Sequence, residues 1–502
     1  MQIEAVDTAP EKVDADVLAF AVPDPVDLGD SGRRFDELVA GELAHLVEDG
    51  ELRGQLGRTT FVHTSGRLAS HRVAAAGVGS QDRFDTDALR TAAAAVALRT
   101  GDIGGTTVAW VIDDGDGVPL SPAEQARAIV DGVALGPYEA GRWKTREEDG
   151  RRRPVERLVL CGPGAPEAAE EARRASVVAS WTNRCRDFVN APPNECTPAR
   201  LAEWAEETAG RFGTMSFEAL GVDEIRAAGM GALAAVSQGS DNPARLIKLS
   251  YEPPHAKADV VLGLVGKAIT FDSGGLSLKP ADRMEDMKSD MGGGAAVLAA
   301  AGAIAELELP LHVLTVVPSC ENMPGGHSYR PGDILTALNG KTIEITNTDA
   351  EGRLILADAL WHTRQSGATH MIDLATLTGA MVIAMGDYYA GLFANDTGWA
   401  ETIRDAAEAS GDHAWIWPLH ETYRRYIDSS FADMKNSSEY RQGSPILAAR
   451  FLEEFVGDGP WAHMDIAGTA YLERGRDDYY DCPGATGYGV RLLAELASRL
   501  AA

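Results

Sequence analysis

From its first residue to about position 165 the chain alternates short apolar runs with stretches of helical period. ADVLAFAV (15–22), RVAAAGVG (72–79), TTVAWVID (106–113) and RLVLCGP (157–163) are compact apolar runs that predict strands. Between them, TDALRTAAAAVALRT (86–100) and SPAEQARAIVDGVALG (121–136) predict helices. Strands alternating with helices imply an α/β layer with a mainly parallel sheet. RWKTREEDGRRRP (142–154) is charged and contains Gly and Pro, so it predicts an exposed loop or hairpin. Nothing in this half gathers chemically active residues, and it reads as a structural or assembly domain.

PEAAEEARRASVVASWTNRCRDFVN (166–190) has helical periodicity and ends at the prolines of APPNECTP (191–198). The expected division is an N-terminal α/β domain over 1–168 and a larger C-terminal catalytic domain over 169–502. In the second part, ADVVLGLVGKAITF (258–271) reads as one long buried strand, with LHVLTVVPS (311–319) and THMIDLATLTGA (369–380) as further strands. GGGAAVLAAAGAIAELEL (292–309) predicts a small-residue helix packed closely against its neighbour. EGRLILADALWHTRQSG (351–367) predicts an amphipathic helix ending at Gly367. The fold class is thus α/β in two domains, the larger built on a mixed, mainly parallel central sheet.

Composition narrows the function. A chain of 502 residues, 45% hydrophobic, can bury a large core without disulfides. Its net charge of −29 repels phosphate backbones and anionic membrane surfaces. Only nine of its 46 basic residues are lysines, which fits a GC-rich genome more simply than adaptation to salt. The five cysteines (Cys161, Cys185, Cys196, Cys320 and Cys482) are scattered and form no CxxC pair. That argues against a disulfide framework or a thiolate zinc site and favours a reducing compartment. The start has no basic segment followed by an apolar one, and no run approaches about 18 apolar residues. A cytoplasmic location is expected.

Two segments carry candidate chemistry. In VGKAITFDSGGLSLKPADRMEDMKSDMGGG (265–294), Lys267 falls in an apolar run, where a lysine is costly unless paired or neutral. Asp272 follows where the run gives way to SGG, a turn that lets backbone approach a ligand. Lys279 comes after the turn, and Asp290 precedes a glycine-rich helix start. In NTDAEGRLILADAL (347–360), Asp349 and Glu351 stand at a helix N-terminus, which attracts anions; alone, they could simply cap the helix. Together the segments bring four carboxylates and two lysines near strand ends, where open α/β sheets bind ligands. Carboxylates converging without cations would repel one another, and divalent ions resolve that. Oxygen donors with few histidines suit Mn or Mg, and also Zn. GLVGKAITFDSGG lacks the spacing of a phosphate loop.

NTDAEGRL is identical to the signature of the leucine aminopeptidase (cytosol aminopeptidase) family, which the chain resembles over roughly 180–495. The likeness extends through VGKAITFDSGGLSLKP, DMKSDMGGG, RDFVNAPPNECTP (186–198), RPGDIL (330–335), DLATLTGA (373–380), WAHMDIAGTA (461–470) and GATGYGVRLL (484–493). The resemblance implies a metallo-exopeptidase that removes N-terminal residues, Leu and other neutral ones first, from peptides or amino-acid amides. It implies two divalent metal ions, Mn or Zn. Lys267, Asp272, Asp290 and Glu351 would hold the tighter ion, and Asp272, Asp349 and Glu351 the more exchangeable one. Lys267 would ligate as a neutral amine, with a strongly lowered pKa. Lys279 and Arg353 are implied as the catalytic side chains, Lys279 stabilising the tetrahedral gem-diolate and Arg353 binding a bicarbonate that shuttles the proton. Met287, Thr376, Thr378, Gly379 and Ala470 fall where family members line the side-chain pocket, though each could equally be core. A cytoplasmic homohexamer is implied as well.

Ala268 departs from the glycine usual in the family, and ENMPGGHSYRPGD (321–333) is richer in glycine than its counterpart; neither removes a ligand. His463 reads as a residue that packs or orients a helix, and Asp465 as a structural hydrogen-bond partner. Some family members bind DNA as architectural or regulatory proteins, a role that the acidic surface argues against. The intact set of seven site residues argues against an inactive scaffold.

Overall fold

The computed structural model describes residues 1–114, 118–145, 152–257, 259–440 and 442–502. Residues 146–151 of the charged stretch 142–154, which is expected as a loop or hairpin, lie outside the described residues. The chain forms two compact units, one of 1–183 with 474–483 and one of 184–473 with 484–502. The boundary expected at 168 falls in the first turn of a helix that runs unbroken over Ala165–Asn190. The return of 474–483 to the first unit has no counterpart in the sequence pattern.

The first unit is built on six strands in the order Gln2–Ala5, Arg157–Cys161, Thr107–Val111, Val17–Asp24, Arg72–Ser80, Thr59–His63; all neighbours are parallel except the last pair. The sheet is buried on both faces. Val17, Ala19, Ala74 and Ala76 join one apolar cluster with the helices Thr86–Asp102 and Pro122–Leu135, while Leu18, Phe20, Val73 and Ala75 join another with Phe35 and Leu43. Side chains alternate across a strand, so continuous apolar runs are what a two-faced parallel sheet requires. Asp85 caps the first of these helices through the Ala88 N–H, and Ser121 with Glu124 forms a capping box on the second.

The second unit holds a nine-stranded mixed sheet. Its order is Ala414–Ile416, Ala390–Ala394, Trp461–Asp465, His370–Ala375, Val261–Gly266, His312–Asn322, Arg245–Tyr251, Met215–Leu220, and Ala268–Asp272 also pairs with His312–Asn322. The four central strands from Trp461–Asp465 to His312–Asn322 are mutually parallel, so their carboxyl ends lie along one edge. One core cluster joins Leu246, Val265, Leu314, Val316 and Met371 to the helices Gly231–Val236, Gly352–Gln365 and Ser444–Glu453. The helix Gly292–Glu306 packs directly on the sheet. A Cβ on Gly293 would stand 2.0 Å from the Leu374 carbonyl oxygen, so only glycine permits that approach.

Two expected strands are shorter than their sequence runs. The run 258–271 is interrupted at Lys267: Val261–Gly266 pairs within the sheet centre, and Ala268–Asp272 continues beside His312–Asn322 with a register shift between Ile269 and Asp272. An apolar run does not reveal such a break, because both pieces are equally buried. Likewise 369–380 forms a strand only over His370–Ala375, and a helix begins at Gly379. Among the described residues, no helix is long and apolar enough to cross a membrane.

Candidate active site

The break at Lys267 places its side chain. Its backbone N–H donates to the Leu374 carbonyl, and its own carbonyl accepts from Gly294, so the residue bridges two elements instead of continuing one strand. Its ammonium lies 2.8 Å from Asp290, 3.0 Å from Glu351 Oε1 and 2.9 Å from the Thr376 carbonyl oxygen. Room for it comes from Gly352, where a Cβ would stand 2.5 Å from Lys267 Cε. Lys279 reaches back across the turn that begins at Asp272, with its ammonium 2.8 Å from Asp272 Oδ2 and 2.6 Å from Asp349 Oδ1. That turn uses left-handed backbone at Gly274 and Gly275, as the SGG sequence suggested.

One oxygen each of Asp272, Asp290 and Glu351 lie within 4.8 Å of one another. Asp349 joins them only through Lys279 and is half-buried. Capping, the simpler explanation for the acids before the helix Gly352–Gln365, does not hold for Glu351. It occupies the N-cap position, yet its side chain makes no capping bond. Instead Glu351 Oε2 is buried without a hydrogen-bond partner.

The electrostatics show an excess of negative charge. Burial, reinforced by Glu351 and Asp290, raises Asp272 to about 8. Burial raises Asp290 to about 6 against the pull of Lys267, and raises Asp349 as well. Glu351 alone is held below the usual range, because Lys267 and Lys279 outweigh its burial. For both lysines burial favours the neutral amine, but the surrounding carboxylates outweigh it and their pKa values rise. Against the protein's own charges Lys267 is therefore an ammonium, and a neutral Lys267 requires further positive charge at the cluster. Two lysines do not balance four carboxylates, and Glu351 Oε2 is left without a hydrogen-bond partner. This donor set fits divalent metal.

Arg353 is buried in the first turn of the helix, and burial lowers its guanidinium pKa to about 10. Its Nη1 donates to the Asn436 carbonyl at 2.9 Å, while its Nε has no partner. Of the expected pocket residues, Thr376 sits against the cluster: its hydroxyl donates to Asp290 Oδ1 at 2.7 Å. Ala470 and Thr376 both border Gly292. Met287 is half-buried just before Asp290, and Gly379 is exposed at the start of its helix. Thr378 is buried and its hydroxyl donates to Asp465 at 2.6 Å.

Three residues that the sequence reading passed over tie the two acidic segments together. Asn322 donates to Asp272 and to the Thr348 carbonyl. Thr348 donates to the Gly274 carbonyl and accepts from Ser277. Asn436 brackets the turn before Glu351, accepting from Thr346 N–H and donating to the Asn347 and Ala350 carbonyls. Asn322 ends a long apolar strand, and that was the one available signal; Asn436 carries none.

Two family models account for the chain: the catalytic domain of the cytosol aminopeptidase family over residues 183–494, and that family's N-terminal domain over 17–147. The chain belongs to the cytosol aminopeptidase family. It is a hydrolase, a metal-dependent aminopeptidase. The "probable cytosol aminopeptidase" of Roseiflexus castenholzii is 44% identical over 92% of this chain and 93% of its own length, and that of Solibacter usitatus is 42% identical over 93% and 94%. Among solved structures, a tomato leucine aminopeptidase mutant aligns with a TM-score of 0.88 at 34% identity, covering 99% of this chain and 96% of that one. The bottromycin maturation enzyme BotP in complex with Mn aligns at 0.83 and 35%, covering 97% and 100%.

Proposed function

We propose that this aminopeptidase uses two divalent ions, Mn or Zn, to cleave the N-terminal bond of peptides and amino-acid amides, with Leu and other neutral residues preferred. The observation that carries the reading is the buried Asp272–Asp290–Glu351 cluster with an oxygen of Glu351 left unpartnered. Lys267, Asp272, Asp290 and Glu351 would hold one ion, and Asp272, Asp349 and Glu351 the other. Bound metal supplies an acidified water and polarises the scissile carbonyl.

The chain's own residues divide the remaining work. Lys279, kept charged by its carboxylate neighbours, stabilises the oxyanion of the tetrahedral state. Arg353 has one unpartnered N–H edge beside a helix N-terminus, which suits a bicarbonate able to accept a proton. Thr376, Gly379 and Met287 border the substrate side chain, and their small or apolar character favours neutral residues. The first unit, which gathers no comparable cluster among the described residues, serves structure or assembly. The family reading also assigns a cytoplasmic homohexamer.

Metal content measured alongside rates over a series of amino-acid amides tests the whole. Less than two ions per chain, or no preference for neutral residues, would overturn the corresponding part. An Arg353→Ala enzyme whose rate and bicarbonate dependence match wild type would remove Arg353 from the mechanism. Sedimentation as a 53.3 kDa monomer would remove the hexamer.

A further inference from the structure

We propose that Asn322 is a positioning residue for Asp272: its amide fixes one oxygen of that carboxylate so that the other is presented to the cation site. The inference rests on reading Asp272 as a metal ligand. Asn322 ends the strand His312–Asn322, and the parallel register sets it directly opposite Asp272. It is fully buried. Its two amide hydrogens go to the two segments that carry the acids: one to Asp272 Oδ1 at 2.8 Å, the other to the Thr348 carbonyl, next to Asp349, at 3.0 Å. A flipped amide would set its oxygen against a carboxylate and a carbonyl, both acceptors, so the donor arrangement is the one the surroundings allow.

The Gly274 N–H reaches the same Asp272 Oδ1 at 2.9 Å. Oδ1 is thus held by two neutral donors, and Oδ2 is left to Lys279 and the cluster. A neutral amide orients the carboxylate without adding a positive charge that would compete with a cation. Asn322 is itself pinned, because its carbonyl accepts from both the Ser273 hydroxyl at 2.7 Å and the Ser273 N–H at 3.0 Å. Groups that orient metal ligands in this way typically contribute one to two orders of magnitude to metal affinity.

The test is Mn²⁺ affinity of the full-length protein, by chelator competition, for wild type, Asn322→Ala, Asn322→Leu and Tyr329→Phe. Leucine keeps the volume of Asn322 without its donors, which guards against a collapsed alanine variant, and melts of the metal-free proteins report folding. Tyr329 donates to the same Thr348 carbonyl at 2.7 Å but makes no bond to Asp272, so it reports loop support alone. Affinity weaker by roughly 10- to 100-fold in both Asn322 variants, with Tyr329→Phe at the wild-type value, is the result expected. Wild-type affinity in the Asn322 variants overturns the proposal. So does an equal loss in Tyr329→Phe, which would reduce Asn322 to a loop prop. A wild-type protein that retains no Mn²⁺ would overturn the metal-ligand reading together with this one, and so is distinguishable from the other failures.

Discussion

The second unit holds two groups of buried carboxylates, and they are satisfied in opposite ways. Asp373 and Asp465 sit on neighbouring strands. Asp373 accepts from the His463 ring at 2.6 Å and the Trp461 indole at 2.8 Å. Asp465 accepts from the Thr378 hydroxyl and from the backbone N–H groups of Leu377, Thr378 and Ala467. Each of these acids has its own protein donors, none of them a lysine or arginine. Asp272, Asp290 and Glu351 instead face one another and two lysines, and leave an oxygen unpartnered. Burial alone therefore does not mark a functional carboxylate. What separates the groups is whether donors from the protein complete the shell or a cation must.

The comparison breaks most sharply on metal removal. Exhaustive chelation should abolish hydrolysis of leucine p-nitroanilide, and Mn²⁺ or Zn²⁺ should restore it; undiminished activity in the stripped protein would erase the distinction. Next, Lys279→Ala should lower kcat by about 10²- to 10³-fold while the fold persists, as loss of one oxyanion partner does in other hydrolases. A loss seen only in KM would assign Lys279 to ground-state binding instead.

The pH response sharpens the same contrast. A cation competes with protons for Asp272, raised to about 8, and Asp290, raised to about 6, so Mn²⁺ affinity should fall steadily as pH is lowered from 8 to 6. Competition titrations at the two pH values would show it, and a flat response would remove these carboxyls from the ligand set. The smallest effect belongs to the self-satisfied group. Asp373→Asn should cost about 1–3 kcal/mol in urea unfolding by upsetting the His463 and Trp461 bonds. Its Mn²⁺ affinity should match wild type, and a large loss would mean that the two groups are coupled.

Much of this was legible from residue order. The four strands and two helices expected in the first unit fall close to their apolar runs, since a parallel sheet buried on both faces leaves a continuous apolar signal; the strands Gln2–Ala5 and Thr59–His63 and the helices Gly29–Leu38 and Glu42–Glu48 were not expected. Four carboxylates and two lysines stood out because charged groups beside apolar strand ends and a helix start are costly without a purpose, while Arg353 came only from the family resemblance. His463 was expected to pack or to orient a helix; it is buried on the strand Trp461–Asp465 and binds Asp373 on the adjacent one. Thr378, grouped with the pocket residues, donates its hydroxyl to Asp465. Neither contact has a sequence signature, because each joins residues about 90 positions apart.

By itself, then, the sequence determined the α/β class, the family, and which carboxylates and lysines would have to be reconciled. Only the tertiary structure decided how they are reconciled. The break at Lys267 turns that side chain onto Asp290 and Glu351. Gly352 leaves the space for it, and Asn322 and Asn436 join segments far apart in the chain. Local propensity and periodicity cannot encode those choices, because each depends on which hydrogen-bond partners the packed sheet brings within about 3 Å.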